Sequence, residues 1–351
     1  MTQLEQYPEF DNHRGVFCFV LDTGEKKTKG FIALHRGSEE ISAFGATRYT
    51  EYENEEKALQ DALRLSRGMS YKSAFAKTPY AGGKGVIIKN QNHTESDKKK
   101  FLIEYAKVVS MLRGGFVTGS DVGISEKEVK LMGKHSSHIV GTKLDPTKYT
   151  GIGLNAALRA GVKHVFGESD LKNRSIAIQG LGKIGCALLL HILEEAKEVV
   201  VTDTNSERLV ALAKKYKNLK VVEPKDIFAA DVDIFAPCAL AGALSPHTVQ
   251  NLKAKLVVGG ANNQLSDPSV EELLYSRGVT YVPDYIANAG GFMSVVHEYE
   301  HGVGKLKQLE KKIEEIGLRV NGLLERSDKE KKSPAAIADE IAKKWITQKY
   351  C

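Results

Sequence analysis

The stretch from Ser175 to Glu194 limits the possible folds of this chain more than any other. The apolar run Ser175–Gln179 ends at Gly180-Leu181-Gly182-Lys183-Ile184-Gly185, and a helical apolar pattern, Ile184–Glu194, begins inside that motif. A bare GxGxxG is common, but one set between a strand and a helix has a mechanism. The first glycine makes the tight turn, the second lets a pyrophosphate approach the backbone, and the third lets helix and strand pack. The helix N-terminus then turns its unpaired N–H groups toward the phosphates. Asp203 follows the next strand, Glu198–Thr202. A carboxylate there takes both hydroxyls of a ribose, and its charge repels a 2′-phosphate. The expected ligand is therefore NAD rather than NADP.

The surrounding pattern agrees. Lys220–Val222, Val232–Ala236, Lys255–Gly259 and Thr280–Pro283 are further short, mostly apolar runs, of the kind expected for parallel strands buried on both faces. With helices between them, and a helix over Gly151–Phe166 in front, they predict a doubly wound, Rossmann-type sheet. The first part of the chain reads differently. Val16–Leu21 and Lys29–His35 are strands around the turn Asp22-Thr23-Gly24, and Ala43–Arg48 is a loop or strand edge. Glu55–Phe75 and Asp97–Leu112 have helical spacing, Phe116–Thr118 is a short strand, and Ser125 with Glu128 is a capping box opening another helix.

A chain of 351 residues suits two domains. The expectation is an α/β protein with an N-terminal mixed α/β substrate-binding, catalytic and oligomerisation domain over residues 1–144. A Rossmann-type dinucleotide-binding domain would follow over 145–325, with a hinge at Asp145-Pro146 and a cleft between the two. Helices over Lys305–Glu325 and Pro334–Lys349 close the chain, and residues 326–351 are expected to pack back near the first domain. The net charge of +6 is mild and spread out, which argues against nucleic acid. No apolar stretch is long enough to span a bilayer, residues 1–14 are polar, and Cys18, Cys186, Cys238 and Cys351 have no CxxC spacing. A cytoplasmic protein without a membrane partner is expected.

Candidate chemistry gathers in Met69–Val86. Lys72 stands near the end of the long helix, and Lys84 follows a Pro- and Gly-rich loop among Gly82, Gly83 and Gly85. Glycines let backbone approach a ligand closely, and burial disfavours the charged form of a lysine, which suits one to act as a base. Asn262-Asn263 and Asn288-Ala289-Gly290-Gly291 follow predicted strands, at the strand ends where open α/β sheets bind ligands. An asparagine there can meet a carboxamide or carboxylate; the structural alternative for Asn288 is helix capping. His297-Glu298-Tyr299-Glu300-His301 matches the metalloprotease pattern H-E-x-x-H. It sits inside a nucleotide-binding context with no third ligand in view, so the reading is two histidines of an ordinary helix and no metal.

Six segments occur in the order of a known family: Lys72 in Met-Ser-Tyr-Lys, Gly82-Gly83-Lys84, Asp121-Val122-Gly123, the Gly180–Gly185 motif, Ala261–Leu265 and Asn288–Gly291. From about Val16 to Gly302 the chain resembles the Glu/Leu/Phe/Val dehydrogenases, most closely the leucine dehydrogenase branch. The resemblance implies NAD-dependent, reversible oxidative deamination of an L-amino acid to a 2-oxo acid and ammonia. It implies that Lys72 binds the substrate carboxylate, that Lys84 activates water, and that Asp121 moves protons to and from the substrate nitrogen. Thr150 would meet the nicotinamide carboxamide. Asn262 or Asn263 would help hold cofactor and substrate, beside Ala261 and Asn288, with Gly180, Leu181, Gly182, Lys183, Ile184, Gly185 and Asp203 on the cofactor. Phe44, Gly45, Phe292 and Val295 would line the side-chain pocket. Phe44 stands where an aliphatic residue is usual and Phe292 where a valine is common. Ala81 and Gly85 replace the usual glycine and alanine around the catalytic lysine.

The expected function is deamination of an apolar, branched-chain amino acid, leucine or valine, by a homo-oligomer, dimer or larger. An aromatic substrate, phenylalanine or tryptophan, is the runner-up. A non-catalytic NAD-binding sensor and an H-E-x-x-H metallohydrolase are the rivals of other classes.

Overall fold

A computed structural model describes residues 3–350 except 39 and 240; Met1 and Cys351 of the sequence reading lie outside the described residues. The first part builds a five-stranded sheet from β1 (His13–Asp22), β2 (Lys27–His35), β3 (Ala43–Thr50), β4 (Ala81–Ile88) and β5 (Phe116–Ser120). Its order is β1-β2-β4-β3-β5, antiparallel from β1 to β4 and parallel across β4, β3 and β5. Strand alternation sends Ile32, Leu34 and Ile87 into one core with Phe101, Leu102 and Tyr105 of α2 (Glu95–Met111). Phe31, Ala33 and Val86 go to the other face, against Ala58, Ala62 and Leu63 of α1 (Glu55–Ala76). α3 (Glu126–Gly133) opens with the Ser125–Glu128 capping box.

Two expectations are corrected here. Ala43–Thr50 is an interior strand between β4 and β5, not a loop or edge. Lys84 lies in the middle of β4 rather than after a loop, because Ala81–Gly83 are already sheet. The glycines that suggest a turn instead permit close packing. A Cβ on Gly82 would fall 2.1 Å from the Ser66 carbonyl of α1, and one on Gly45 would overlap the Gly83 carbonyl.

The second part follows α4 (Pro146–Phe166) with β6 (Ser175–Gln179), α5 (Lys183–Ile192), β7 (Glu198–Thr202), α6 (Ser206–Lys215), β8 (Leu219–Val221) and β9 (Ile234–Pro237). Then come α7 (Pro246–Asn251), β10 (Leu256–Val257), α8 (Ser269–Ser276), β11 (Thr280–Tyr281) and α9 (Asp284–Ala287). The sheet order is β11-β10-β9-β6-β7-β8, all parallel. This is the doubly wound arrangement, and the order reverses between β6 and β9. α10 (Ala289–His301), α11 (Leu306–Glu314), α12 (Ile316–Glu330) and α13 (Pro334–Tyr350) complete the chain. The expected helix Lys305–Glu325 is thus two helices, broken at Glu315, and α4 starts at Pro146 rather than Gly151.

The chain divides into two compact units, residues 1–145, 294–304 and 342–351 in one and 146–293 and 305–341 in the other. Relative to the expected ranges, the second half of α10 counts with the first unit, and residues 326–341 count with the second. No helix among the described residues is long and apolar enough to cross a membrane.

Candidate active site

The strand register builds a chemical centre on the α1 face of the first sheet. Lys84 of β4 pairs with Ala46 of β3, and Ala46 pairs with Gly119 of β5. The row behind is Val86 and Arg48, and Asp121 continues the Val117–Gly119 alternation just past β5. Ala46 and Gly119 leave room across the lysine's row, so its long side chain crosses them. Lys84 Nζ donates to Asp121 Oδ2 at 2.5 Å. Both side chains are nearly enclosed, 6% and 14% exposed, so this ion pair is only weakly screened by solvent.

Arg48 Nε donates to the same oxygen of Asp121 at 3.1 Å, and its Nη1 donates to Asp61 Oδ2 of α1 at 2.8 Å. Tyr52 Oη and Arg64 Nη2 also donate to Asp61, at 2.8 and 2.7 Å. Burial alone would raise the Asp121 carboxyl, but the positive charges of Lys84 and Arg48 outweigh it and hold it at about 2. The charge set against Lys84 is therefore a carboxylate.

Lys72 is half-buried on α1, within one turn of Ser70, whose Oγ accepts the Gly82 N–H at 2.8 Å. Gly45 sits against Gly83, as its register requires. Phe44 is fully buried, its ring 4.8 Å from that of Tyr80 and 5.5 Å from that of Tyr299. Tyr80 in turn donates to Glu300 Oε1 at 2.9 Å.

The H-E-x-x-H motif is occupied by structural work. Glu298 is buried and accepts from the Gly141, Thr142, Lys143 and Leu144 backbone N–H groups and from the Thr142 hydroxyl, at 2.8–3.1 Å. His297 Nε2 bonds the Gly304 carbonyl at 2.6 Å. Among the described residues no cluster of three metal-ligating side chains occurs.

In the second unit the three glycines divide their tasks. Gly180 has φ +91°, Gly182 faces open space, and a Cβ on Gly185 would overlap the Gly180 carbonyl. Gly182 caps α5 without a side-chain bond, so the helix opens at Lys183 and Ile184 directly behind the glycine turn. Asp203 accepts from Leu181 N at 2.6 Å and Asn205 N at 2.8 Å, which brings it to the glycine turn. Beyond β10 and β11, Asn288 Nδ2 donates to Asn262 Oδ1 at 2.8 Å, and Asn263 N donates to Asp284, with Asn263 in the left-handed region at φ +52°. Asn288 closes α9 at its C-terminal end rather than capping a following helix, and its buried Oδ1 has no partner among the described residues. Ala261 is buried and its carbonyl accepts from Gln264 Nε2. Thr150 lies one turn inside α4, its hydroxyl donating to the Pro146 carbonyl at 2.8 Å. Phe292 is buried on α10 and Val295 half-buried one turn on. An open glycine turn at a helix N-terminus and an orphaned buried carboxamide oxygen fit a ligand carrying phosphates and an amide.

Comparison with known proteins decides the family. Residues 15–138 match the Glu/Leu/Phe/Val dehydrogenase dimerisation domain, and residues 199–339 match glutamate/leucine/phenylalanine/valine dehydrogenase. The chain belongs to the Glu/Leu/Phe/Val dehydrogenase family. L-tryptophan dehydrogenase of Nostoc punctiforme is 38% identical, over 85% of this chain and 83% of its own. Valine dehydrogenase of Streptomyces albus is 37% identical, over 91% and 89%. Leucine dehydrogenase of Geobacillus stearothermophilus is 34% identical, over 90% and 87%. The crystal structure of the Nostoc enzyme superposes with a TM-score of 0.82, covering 96% of this chain and 97% of that one. As a Glu/Leu/Phe/Val dehydrogenase, this protein is an oxidoreductase that uses a nicotinamide cofactor. Asp61 and Tyr80 escaped the sequence reading, Tyr299 entered it only inside the H-E-x-x-H match, and Arg48 only as the end of the segment Ala43–Arg48. The signal that finds Arg48 is its alternation with Phe44 and Ala46 along β3, visible once that segment is read as a strand.

Proposed function

We propose that this enzyme catalyses the NAD-dependent oxidative deamination of a branched-chain L-amino acid, valine or leucine. The observation that carries the reading is the enclosed Lys84–Asp121 pair on a face cleared by Ala46 and Gly119. When bound, the nicotinamide supplies the acceptor for the α-hydrogen as hydride. Lys72 holds the substrate carboxylate as a fixed cation. Asp121 accepts a proton from the substrate ammonium, which frees the nitrogen lone pair that drives hydride departure. Lys84 takes a proton from water as its oxygen adds to the resulting imine carbon. Asp121 returns a proton to nitrogen, and the C–N bond breaks as the hydroxyl gives its proton to solvent water, leaving 2-oxo acid and ammonia. Thr150, Ala261, Asn263, Asn288 and the Gly180–Gly185 turn hold the cofactor, and Asn262 assists with the carboxylate.

The residues assigned to the side-chain pocket, Phe44, Gly45, Phe292 and Val295, carry no charge, which supports an apolar substrate over glutamate. Phe44 already has rings against it, so it acts as a wall that shortens the pocket and favours a branched aliphatic side chain. The same ring cluster, with the likeness to a tryptophan dehydrogenase, supports the second reading, an aromatic substrate. NADH formation at alkaline pH against all L-amino acids separates them. Highest kcat/KM on valine or leucine is expected; highest on tryptophan or phenylalanine selects the second reading, and highest on glutamate or alanine ends the apolar pocket.

Asp203 supports NAD over NADP. Arg208, 3.8 Å from it, donates to the Leu181 carbonyl, so that cation is engaged within the turn. Asp203→Ser should weaken NAD about ten- to a hundred-fold, the size of a lost charged hydrogen bond, and relieve rejection of NADP. Equal use of both cofactors by the unaltered enzyme would overturn this role. Among the described residues β1 is an edge strand that exposes Phe17 and Val20, which supports assembly as a homo-oligomer, dimer or larger; the location proposed for it is the cytoplasm.

A further inference from the structure

We propose that Arg48 is a positioning residue for the proton-transfer centre: it fixes Oδ2 of Asp121 toward Lys84 and supplies the second positive charge that keeps this carboxylate ionised. The inference rests on the proton-transfer role of Asp121 proposed above.

Four observations carry it. Arg48 and Lys84 converge on one oxygen of Asp121, at 3.1 and 2.5 Å. The guanidinium is itself fixed from behind by Asp61 at 2.8 Å, and Asp61 is fixed by Tyr52 and Arg64. The arginine side chain is only 18% exposed, so its charge acts at short range with little screening. Finally, Arg48 stands on β3 between the strands that carry the other two groups, in the row directly beside Asp121. The charged groups that face Asp121 are Lys84 from β4 and Arg48 from β3; those that face Arg48 are Asp121, Asp61 from α1 and the Tyr52 phenol.

Two cations on one carboxylate have a kinetic meaning. When Lys84 turns to water or changes its charge during turnover, Asp121 loses one of its two partners. Arg48 stays, because an arginine does not deprotonate. The carboxylate then remains in place and ionised, ready for the next substrate ammonium. Asp61 balances Arg48, so the cluster adds no uncompensated buried charge.

The test is steady-state kinetics of the full chain from pH 5 to pH 10, on Arg48→Gln, Arg48→Met, Arg48→Lys and Asp121→Asn, with NAD binding and thermal unfolding measured alongside. In the two neutral variants kcat should fall about ten- to a hundred-fold across that range, the size of one lost charged hydrogen bond, with little change in the KM for the amino acid. NAD affinity should stay unchanged. Arg48→Lys keeps the charge and should recover only part of kcat, because it lacks the fork that reaches both Asp121 and Asp61. Unchanged kcat in the neutral variants, or a KM raised as much as kcat falls, with Asp121→Asn inactive, would overturn the inference and leave the mechanism standing. Folding of Arg48→Lys with failure of both neutral variants to fold would assign Arg48 to the fold and overturn it as well. Full activity of Asp121→Asn would remove the proton-transfer reading itself.

Discussion

Lys84→Ala should lose turnover by about 100- to 10,000-fold, the usual contribution of one positioned acid or base, while NAD binding survives. The lysine lies within the sheet of the first unit, and the glycine turn proposed for the dinucleotide belongs to the sheet of the second. Removing Lys84 also strips Asp121 of a cation at 2.5 Å but leaves Arg48 on it, so the carboxylate keeps a partner and the strand keeps its register. Asp121→Asn preserves shape and removes the proton acceptor; kcat should fall with NAD affinity unchanged. Lys72→Ala should differ in kind. It removes carboxylate binding present in ground and transition states alike, so it should chiefly raise the KM for the amino acid. Steady-state kinetics with NAD titrated separately distinguishes the three. Near-normal kcat in Lys84→Ala would sink the mechanism, and loss of NAD binding there would mark a misfolded protein.

The largest stability effect is expected at Glu298. Its carboxylate gathers four backbone N–H groups and one hydroxyl from Gly141–Leu144, the segment that leads into α4. Without an acceptor, each buried donor costs roughly 1–3 kcal/mol, reduced where water replaces the carboxylate. Glu298→Ala should therefore destabilise the protein by about 3–5 kcal/mol, in the range seen when a buried charged network loses its centre. The midpoint of thermal unfolding should drop by several degrees or more. Glu298→Gln keeps one acceptor oxygen and should recover part of the loss. A fall under about 1 kcal/mol in Glu298→Ala would mean the loop holds itself without the carboxylate.

The first two strands of the second sheet were legible residue by residue. Ser175–Gln179 and Glu198–Thr202 have the bounds expected of them, because a parallel strand covered on both faces must be apolar throughout and stops where the glycine turn or the carboxylate begins. β8 is shifted by one residue, and β9, β10 and β11 are shorter than their apolar runs: Lys255–Gly259 forms only two residues of ladder, Leu256–Val257, since burial continues after strand pairing ends. The break at Glu315 and the start of α4 at Pro146 were hidden for a related reason. Periodicity reports which face is buried, and it does not report where the helix axis turns.

The sequence by itself determined the glycine motif, the carboxylate after it and the order of the lysines and aspartate, because each depends on residue type and spacing along the chain. Only the tertiary structure decided which charges meet. Lys84, Arg48, Asp61 and Asp121 come from β4, β3, α1 and the end of β5, and their convergence depends on a mixed strand order that no local pattern encodes. The same is true of Glu298. Its H-E-x-x-H spelling suggests a metal, while its position buries the carboxylate under a loop more than 150 residues away in sequence, where backbone N–H groups claim both oxygens.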